Sequence, residues 1–144
     1  MAYKVGIIGY GWAATAHADA INGTGQGSVA AVFSSRPLND AEVSAAHGSE
    51  ITTYTSLEEM LKSDIDVLSI TSYPDQHREQ AIAAANAGKH IILEKPMALN
   101  WEDCRAIYDA VVANGLKACV CFELRFISQM MTTSRFHRWP LNVV

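Results

Sequence analysis

Apolar positions along this chain gather into short runs, separated by stretches in which they recur at helical spacing. The runs Tyr3 to Ile8, Val29 to Phe33, Asp66 to Ile70, His90 to Leu93 and Lys117 to Phe122 read as strands, with a weaker one at Ile51 to Tyr54. Helical segments lie between most of them. Ala13 to Ile21 is alanine-rich, and Ser56-Leu57-Glu58-Glu59 has the Ser-x-x-Glu form of a capping box. Asp75 is placed to cap a helix reading QHREQAIAAANA, with Gly88 as its stop, and Asn100 to cap WEDCRAIYDAVVAN, which stops at Gly115. Strand and helix therefore alternate from the first strand to the last. Strands so continuously apolar have no face to spare for solvent, and this predicts a doubly wound α/β fold, a parallel sheet with helices on both faces.

An open parallel sheet binds ligands outside the carboxyl ends of its strands. Polar clusters follow the strands here: Gly9-Tyr10-Gly11-Trp12-Ala13-Ala14, Ser34-Ser35-Arg36, Thr71 to His77, Glu94-Lys95-Pro96 and Glu123-Leu124-Arg125. The first fits the G-x-G-x-x-G/A dinucleotide fingerprint, with Gly9 for the tight turn, Gly11 for close approach of a pyrophosphate and Ala14 for helix-to-strand packing. Its place between the first strand and the first helix is the context that motif requires. Backbone amides and a helix N-terminus, at Trp12 and Ala13, would then face the anion.

About 20 residues beyond the third fingerprint position lies Ser34, where an NAD enzyme carries Asp or Glu for the ribose hydroxyls. Ser34, Ser35 and Arg36 offer instead two hydroxyls and a guanidinium suited to a 2′-phosphate, so NADP is the expected cofactor and NAD the alternative. Arg36 also reads as a solvated turn residue before Pro37. Glu94-Lys95-Pro96 falls near where a nicotinamide ring would lie. A partly desolvated lysine there could bind a substrate oxygen and exchange a proton as hydride moves, although the same triplet reads equally as an ion pair on a loop stopped by proline.

Composition narrows the partners. With 144 residues, 49% of them hydrophobic, the chain has the material for one sizeable core. A net charge of -4 gives no basic surface for nucleic acid, and no apolar run is long enough to span a bilayer, so neither nucleic acid nor membrane is an expected partner and the cytoplasm is the expected location. Cys104, Cys119 and Cys121 lack the spacing of a metal site and read as free, mostly buried thiols.

The segments GYGWAATAHADAI, YPDQHREQAIAAANAGKHIILEKPMAL and CFELRF together resemble the N-terminal half of the glucose-fructose oxidoreductase, inositol dehydrogenase and MocA (Gfo/Idh/MocA) family of nicotinamide-dependent sugar oxidoreductases. The specific part is the succession Pro74, His77, Ala87 to His90 and Glu94 to Pro96. The resemblance implies a Rossmann domain over residues 1–122, hydride transfer at a sugar or polyol carbon, and Lys95 as a catalytic residue. It implies that Glu94 places the cofactor and that His77 flanks the cleft, with Thr71, Pro74, Pro96 and Arg125 as further cofactor-side candidates and a cis bond at Lys95-Pro96. By position alone, His77 reads as a surface histidine, Trp12 as packing beside the cofactor and His17 as helix cover.

Family members continue into a second α/β domain, whereas residues 123–144, ending SQMMTTSRFHRWPLNVV, show neither strand alternation nor a helical stripe. They read as a remnant of the link to that domain or as an altered tail. Uncovered apolar surface would then favour a homo-oligomer. Two functions follow: the cofactor-binding part of an oxidoreductase, inactive alone, or a non-catalytic nucleotide-binding or interaction module.

Overall fold

Ile7 and Ile8 are adjacent in the chain and almost wholly buried, yet they belong to different cores. Successive side chains of a strand point to opposite faces, so both faces of this strand must be covered. A computed structural model describes residues 2–126 and shows how. The elements in chain order are β1 (Tyr3–Ile8), α1 (Trp12–Gly23), β2 (Gly27–Phe33), α2 (Asp40–His47), β3 (Thr52–Tyr54), α3 (Leu57–Leu61), β4 (Val67–Ile70), α4 (His77–Asn86), β5 (His90–Glu94), α5 (Trp101–Ala113) and β6 (Ala118–Cys121), then a 3₁₀ turn at Glu123–Phe126. The sheet order is β3-β2-β1-β4-β5-β6, with every pairing parallel. This is the doubly wound arrangement expected from the pattern. The order reverses between β1 and β4, which opens a crevice at their carboxyl ends.

One core gathers Ile7, Val29 and Val32 under Ala14 and Ala18 of α1 and Val43 of α2. The other packs Ile8, Leu68, Ile70, Ile91 and Leu93 against Met60 of α3, Ala81, Ala84 and Ala85 of α4 and Ile107 of α5. Alanines on α4 let that helix sit close to the sheet. Helix ends follow local chemistry. Asn39 accepts from the amides of Ala41 and Glu42, Ser56 from Glu59 and Asn100 from Asp103, while Gly48 closes α2 in the left-handed region at φ 66°.

Three expectations change. Asp75 does not cap α4: the N-cap is Gln76, with no side-chain bond, because a backbone turn brings the carbonyls of Tyr73 and Pro74 to the amides of Gln76 and His77. β2 begins at Gly27 rather than Val29, since Gly27 and Ser28 pair with Tyr3 and Lys4 through the backbone and leave no apolar signal. The thiols are free, but Cys119 is exposed and Cys121 only half-buried, because β6 is an edge strand, and Cys104 on α5 is half-buried as well. Among the described residues no helix is long and apolar enough to cross a membrane.

Leu68 lies at the centre of the larger core with no exposed surface. Leu68→Ala should lower unfolding free energy by about 2–5 kcal/mol, whereas Val112→Ala on the exposed face of α5 should stay within about 0.5 kcal/mol. Urea denaturation of both variants checks the assignment.

Candidate functional site

The ends of β1, β2 and β4 are tied together by their own backbone. Gly9 donates its amide to the Phe33 carbonyl at 2.9 Å, and Thr71 donates both its amide, at 3.0 Å, and its hydroxyl, at 2.8 Å, to the Ile8 carbonyl. Gly9 has φ 94°, and a Cβ there would stand 3.1 Å from Thr71 Oγ1, so only glycine fits without strain. Gly11 is the N-cap of α1 in extended conformation, and a Cβ on it would meet no atom within 4 Å. Glycine there keeps open the space into which a ligand approaches.

α1 also differs electrostatically from its neighbours. α2, α3 and α5 each have a side-chain cap and acidic residues in the first turn; α1 has neither. Its first N–H groups and the positive end of its dipole are left for an anion. They face a cavity of about 890 Å³. Gly9, Gly11, Trp12 and Ala13 form one wall, Ser34, Ser35 and Arg36 the second, and Thr71 and Ser72 the base. Ala14, the third fingerprint position, is buried in the core under α1.

The far wall was not anticipated. Gln76, Glu79, Gln80 and Ala83 of α4, with Leu57 of α3, close the cavity. Their i, i+3, i+4, i+7 spacing marks one helix face, but only the packing shows that this face looks onto Arg36 rather than bulk solvent. Ser34 is buried, its amide bonded to the Tyr54 carbonyl and its hydroxyl accepting from the Arg36 amide at 3.3 Å. Ser35 and Arg36 are exposed to the cavity. Glu79 is the sole carboxylate on the described walls.

Glu94, Lys95 and Pro96 lie at the end of β5, one strand beyond β4, and do not line this cavity. The Lys95–Pro96 peptide is cis, as the resemblance implied. Lys95 is half-exposed rather than desolvated, its Nζ 3.6 Å from Glu123 Oε1. His77 departs from both expectations: it is wholly buried, neither on the surface nor on the cavity wall. Its ring spans the Pro96 carbonyl (Nδ1, 3.0 Å) and the Ser72 carbonyl (Nε2, 3.1 Å), so it joins the loops after β4 and β5 from beneath. Pro74 stands outside the cavity in the turn before α4, and Arg125 is exposed on the 3₁₀ turn after β6. Neither reaches the α1 N-terminus.

His17 is the residue that sequence reasoning undervalued. Its ring contacts Ser69 Oγ through Nδ1 at 2.8 Å and Glu94 Oε1 through Nε2 at 2.9 Å. Cys121 Sγ completes a set whose potential ligand atoms lie within 4.8 Å of one another. Both ring nitrogens are engaged within the protein, and burial, then Cys119, Glu94 and Glu123, pushes the Cys121 thiol up to about 11.

Comparison with known proteins bears on this geometry. Residues 3–122 match the model of the Gfo/Idh/MocA family, described as an oxidoreductase family with an NAD-binding Rossmann fold. The inositol 2-dehydrogenase of Rhizobium meliloti is 30% identical over 135 residues, which cover 94% of this chain and 40% of that protein. The 4-carboxy-2-hydroxymuconate-6-semialdehyde dehydrogenase of Sphingobium sp. is 28% identical over 123 residues, 85% of this chain and 39% of that protein. Among solved structures, the WlbA dehydrogenase of Bordetella pertussis in complex with NADH and UDP-GlcNAcA superposes with a TM-score of 0.85 at 27% identity, over 94% of this chain and 41% of that one. The chain thus spans about two fifths of the length of these relatives.

The raised thiol gives a direct check. At pH 8 about one Cys121 side chain in a thousand should be thiolate, so its alkylation by iodoacetamide should be slow and should accelerate toward pH 11. Peptide mass spectrometry across pH reads this site by site; fast labelling of Cys121 at pH 8 would contradict the environment described.

Proposed function

The chain belongs to the Gfo/Idh/MocA oxidoreductase family with its NAD-binding Rossmann fold, and we propose that it binds NADP at the β1–β4 crevice as the cofactor-binding unit of a sugar or polyol oxidoreductase. The observation that carries this reading is the uncapped, acid-free N-terminus of α1, set behind Gly9 and Gly11 and facing the cavity. The pyrophosphate would accept from the amides of that first turn, and Gly11 would let it approach without a Cβ in the way.

NADP is favoured over NAD by the end of β2. A carboxylate that would take the ribose hydroxyls and repel a 2′-phosphate is missing at Ser34 and Ser35, while Arg36 stands free of ion pairs among the described residues. Charge-assisted hydrogen bonds from Arg36 would contribute about 1.5–3 kcal/mol at most, less while the guanidinium remains exposed.

Bound in this crevice, the nicotinamide supplies or accepts hydride. Lys95 donates a hydrogen bond to the substrate oxygen and gives it a proton as a carbonyl becomes an alcohol, or takes one back in the reverse direction. Glu94 holds the turn that presents Lys95. The relatives named inositol 2-dehydrogenase and the dehydrogenase crystallised with a nucleotide sugar support the sugar or polyol class. Hydride transfer needs the substrate within about 3–3.5 Å in an aligned pose, and these residues correspond to about two fifths of the length of the relatives they match. They should bind cofactor and turn over poorly. A non-catalytic nucleotide-binding module would use the same cavity; turnover that Lys95→Ala abolishes would distinguish the oxidoreductase.

Calorimetry with NADPH and NADH in one buffer should show tighter binding of NADPH. Arg36→Ala should narrow that preference by up to about tenfold, and Ser35→Asp should move it toward NADH. Equal affinities in the wild type would overturn NADP as the cofactor, and no response to Ser35→Asp would mean that this turn does not face the adenosine. Glu79→Gln should strengthen NADPH binding if Glu79 lies near the 2′-phosphate.

A further inference from the structure

We infer that His17 is a positioning residue for the cofactor site, acting through Glu94: a brace that runs from buried Ser69 through the His17 ring to the Glu94 carboxylate and sets the turn carrying Lys95. The inference deepens the reading of the crevice as a nicotinamide site and rests on it for its functional arm.

The bond directions follow from which groups can donate. A carboxylate only accepts, so the 2.9 Å contact between His17 Nε2 and Glu94 Oε1 requires the proton on Nε2. A neutral ring then has its lone pair on Nδ1, and the 2.8 Å contact there is a hydrogen bond donated by the Ser69 hydroxyl. Ser69 has no exposed surface, and the side chains of His17 and Glu94 are only 15% and 18% exposed, so each partner would lose a hydrogen bond that water cannot readily replace. The second carboxylate oxygen, Oε2, accepts from the Lys95 amide at 3.1 Å. Both oxygens of Glu94 are thus held, one from α1 and one from its own turn.

The mechanical consequence comes from α1 itself. Its N-terminus faces the cavity, and His17, one to two turns along, fixes the end of β5. A single rigid helix therefore sets the distance between the anion-binding amides and the Glu94–Lys95 turn. Without the imidazole, Glu94 would lose its donor from α1 and be free to turn toward the Lys95 ammonium.

Two measurements test this. The first needs no cofactor: long-range ¹⁵N–¹H spectra of the His17 ring should show a protonated Nε2 and a bare Nδ1, and Glu94→Ala should abolish that fixed tautomer. A protonated Nδ1 in the wild type, or a tautomer indifferent to Glu94→Ala, would overturn the brace. The second is a double-mutant cycle on NADPH affinity. His17→Ala should weaken binding about tenfold in the wild type and have no further effect in a Glu94→Ala background, while His17→Gln, whose amide can still donate to Glu94, should recover most of the loss. Thermal unfolding of each variant shows whether it is folded, and His17→Gln serves if His17→Ala is not. Equal losses in both backgrounds would mean that His17 acts independently of Glu94 and would sink the proposal. If the wild type binds neither NADPH nor NADH, the cofactor reading fails on its own, and the ring tautomer still decides whether the brace exists.

Discussion

Parallel strands can pair only if each returns to the same end of the sheet, and every return must cross one face as a helix or an extended segment. That constraint organises this molecule. It explains why Ile7 and Ile8 feed separate cores, why α4 carries alanines where it meets the sheet, and why the carboxyl ends of all six strands lie on one rim. Where the crossovers change sides, between β1 and β4, no helix fills the rim, and the backbone bonds from Gly9 and Thr71 hold the opening in shape.

At that opening the protein leaves a local interaction unmade. α2, α3 and α5 have their first amides satisfied by Asn39, Ser56 and Asn100, each a stabilising contact of about 1 kcal/mol. α1 has Gly11 in the equivalent place. Glycine at an N-cap is only a few tenths of a kcal/mol worse than a capping side chain in solvent, so the helix survives, while its amides stay available to a ligand. Stability and binding are decided at the same residue by the absence of a side chain.

The rim is stitched together by groups beneath it. His77 joins the carbonyls of Ser72 and Pro96 from below, and His17 reaches from α1 to Glu94. Both histidines are screened from solvent by the sheet and its helices, and both act on residues nearer the cleft than themselves. The Glu94–Lys95–Pro96 turn is therefore held from two sides, by a histidine of α1 and a histidine of α4.

Much of this was legible in the chain. Continuous apolar runs between alanine-rich segments determined a parallel sheet, because strands buried on both faces leave no polar alternation; Gly9 and Ala14 marked the turn from β1 into α1, because a φ of 94° calls for glycine and the place under α1 for a small side chain. Ser56 and Asn100 announced their helices, since a cap is a bond between near neighbours. Tertiary structure alone decided the rest. Asp75 looked like a cap until the Tyr73–Pro74 turn occupied the amides it would have bonded. Gln76 and Glu79 became a cavity wall, His77 moved from surface to core, and His17 met Glu94 across 77 positions. Local pattern encodes what a residue does with its neighbours in sequence, through backbone geometry and burial. Which distant side chain a histidine will meet depends on where the crossovers place two strand ends, and that is a property of the packed sheet.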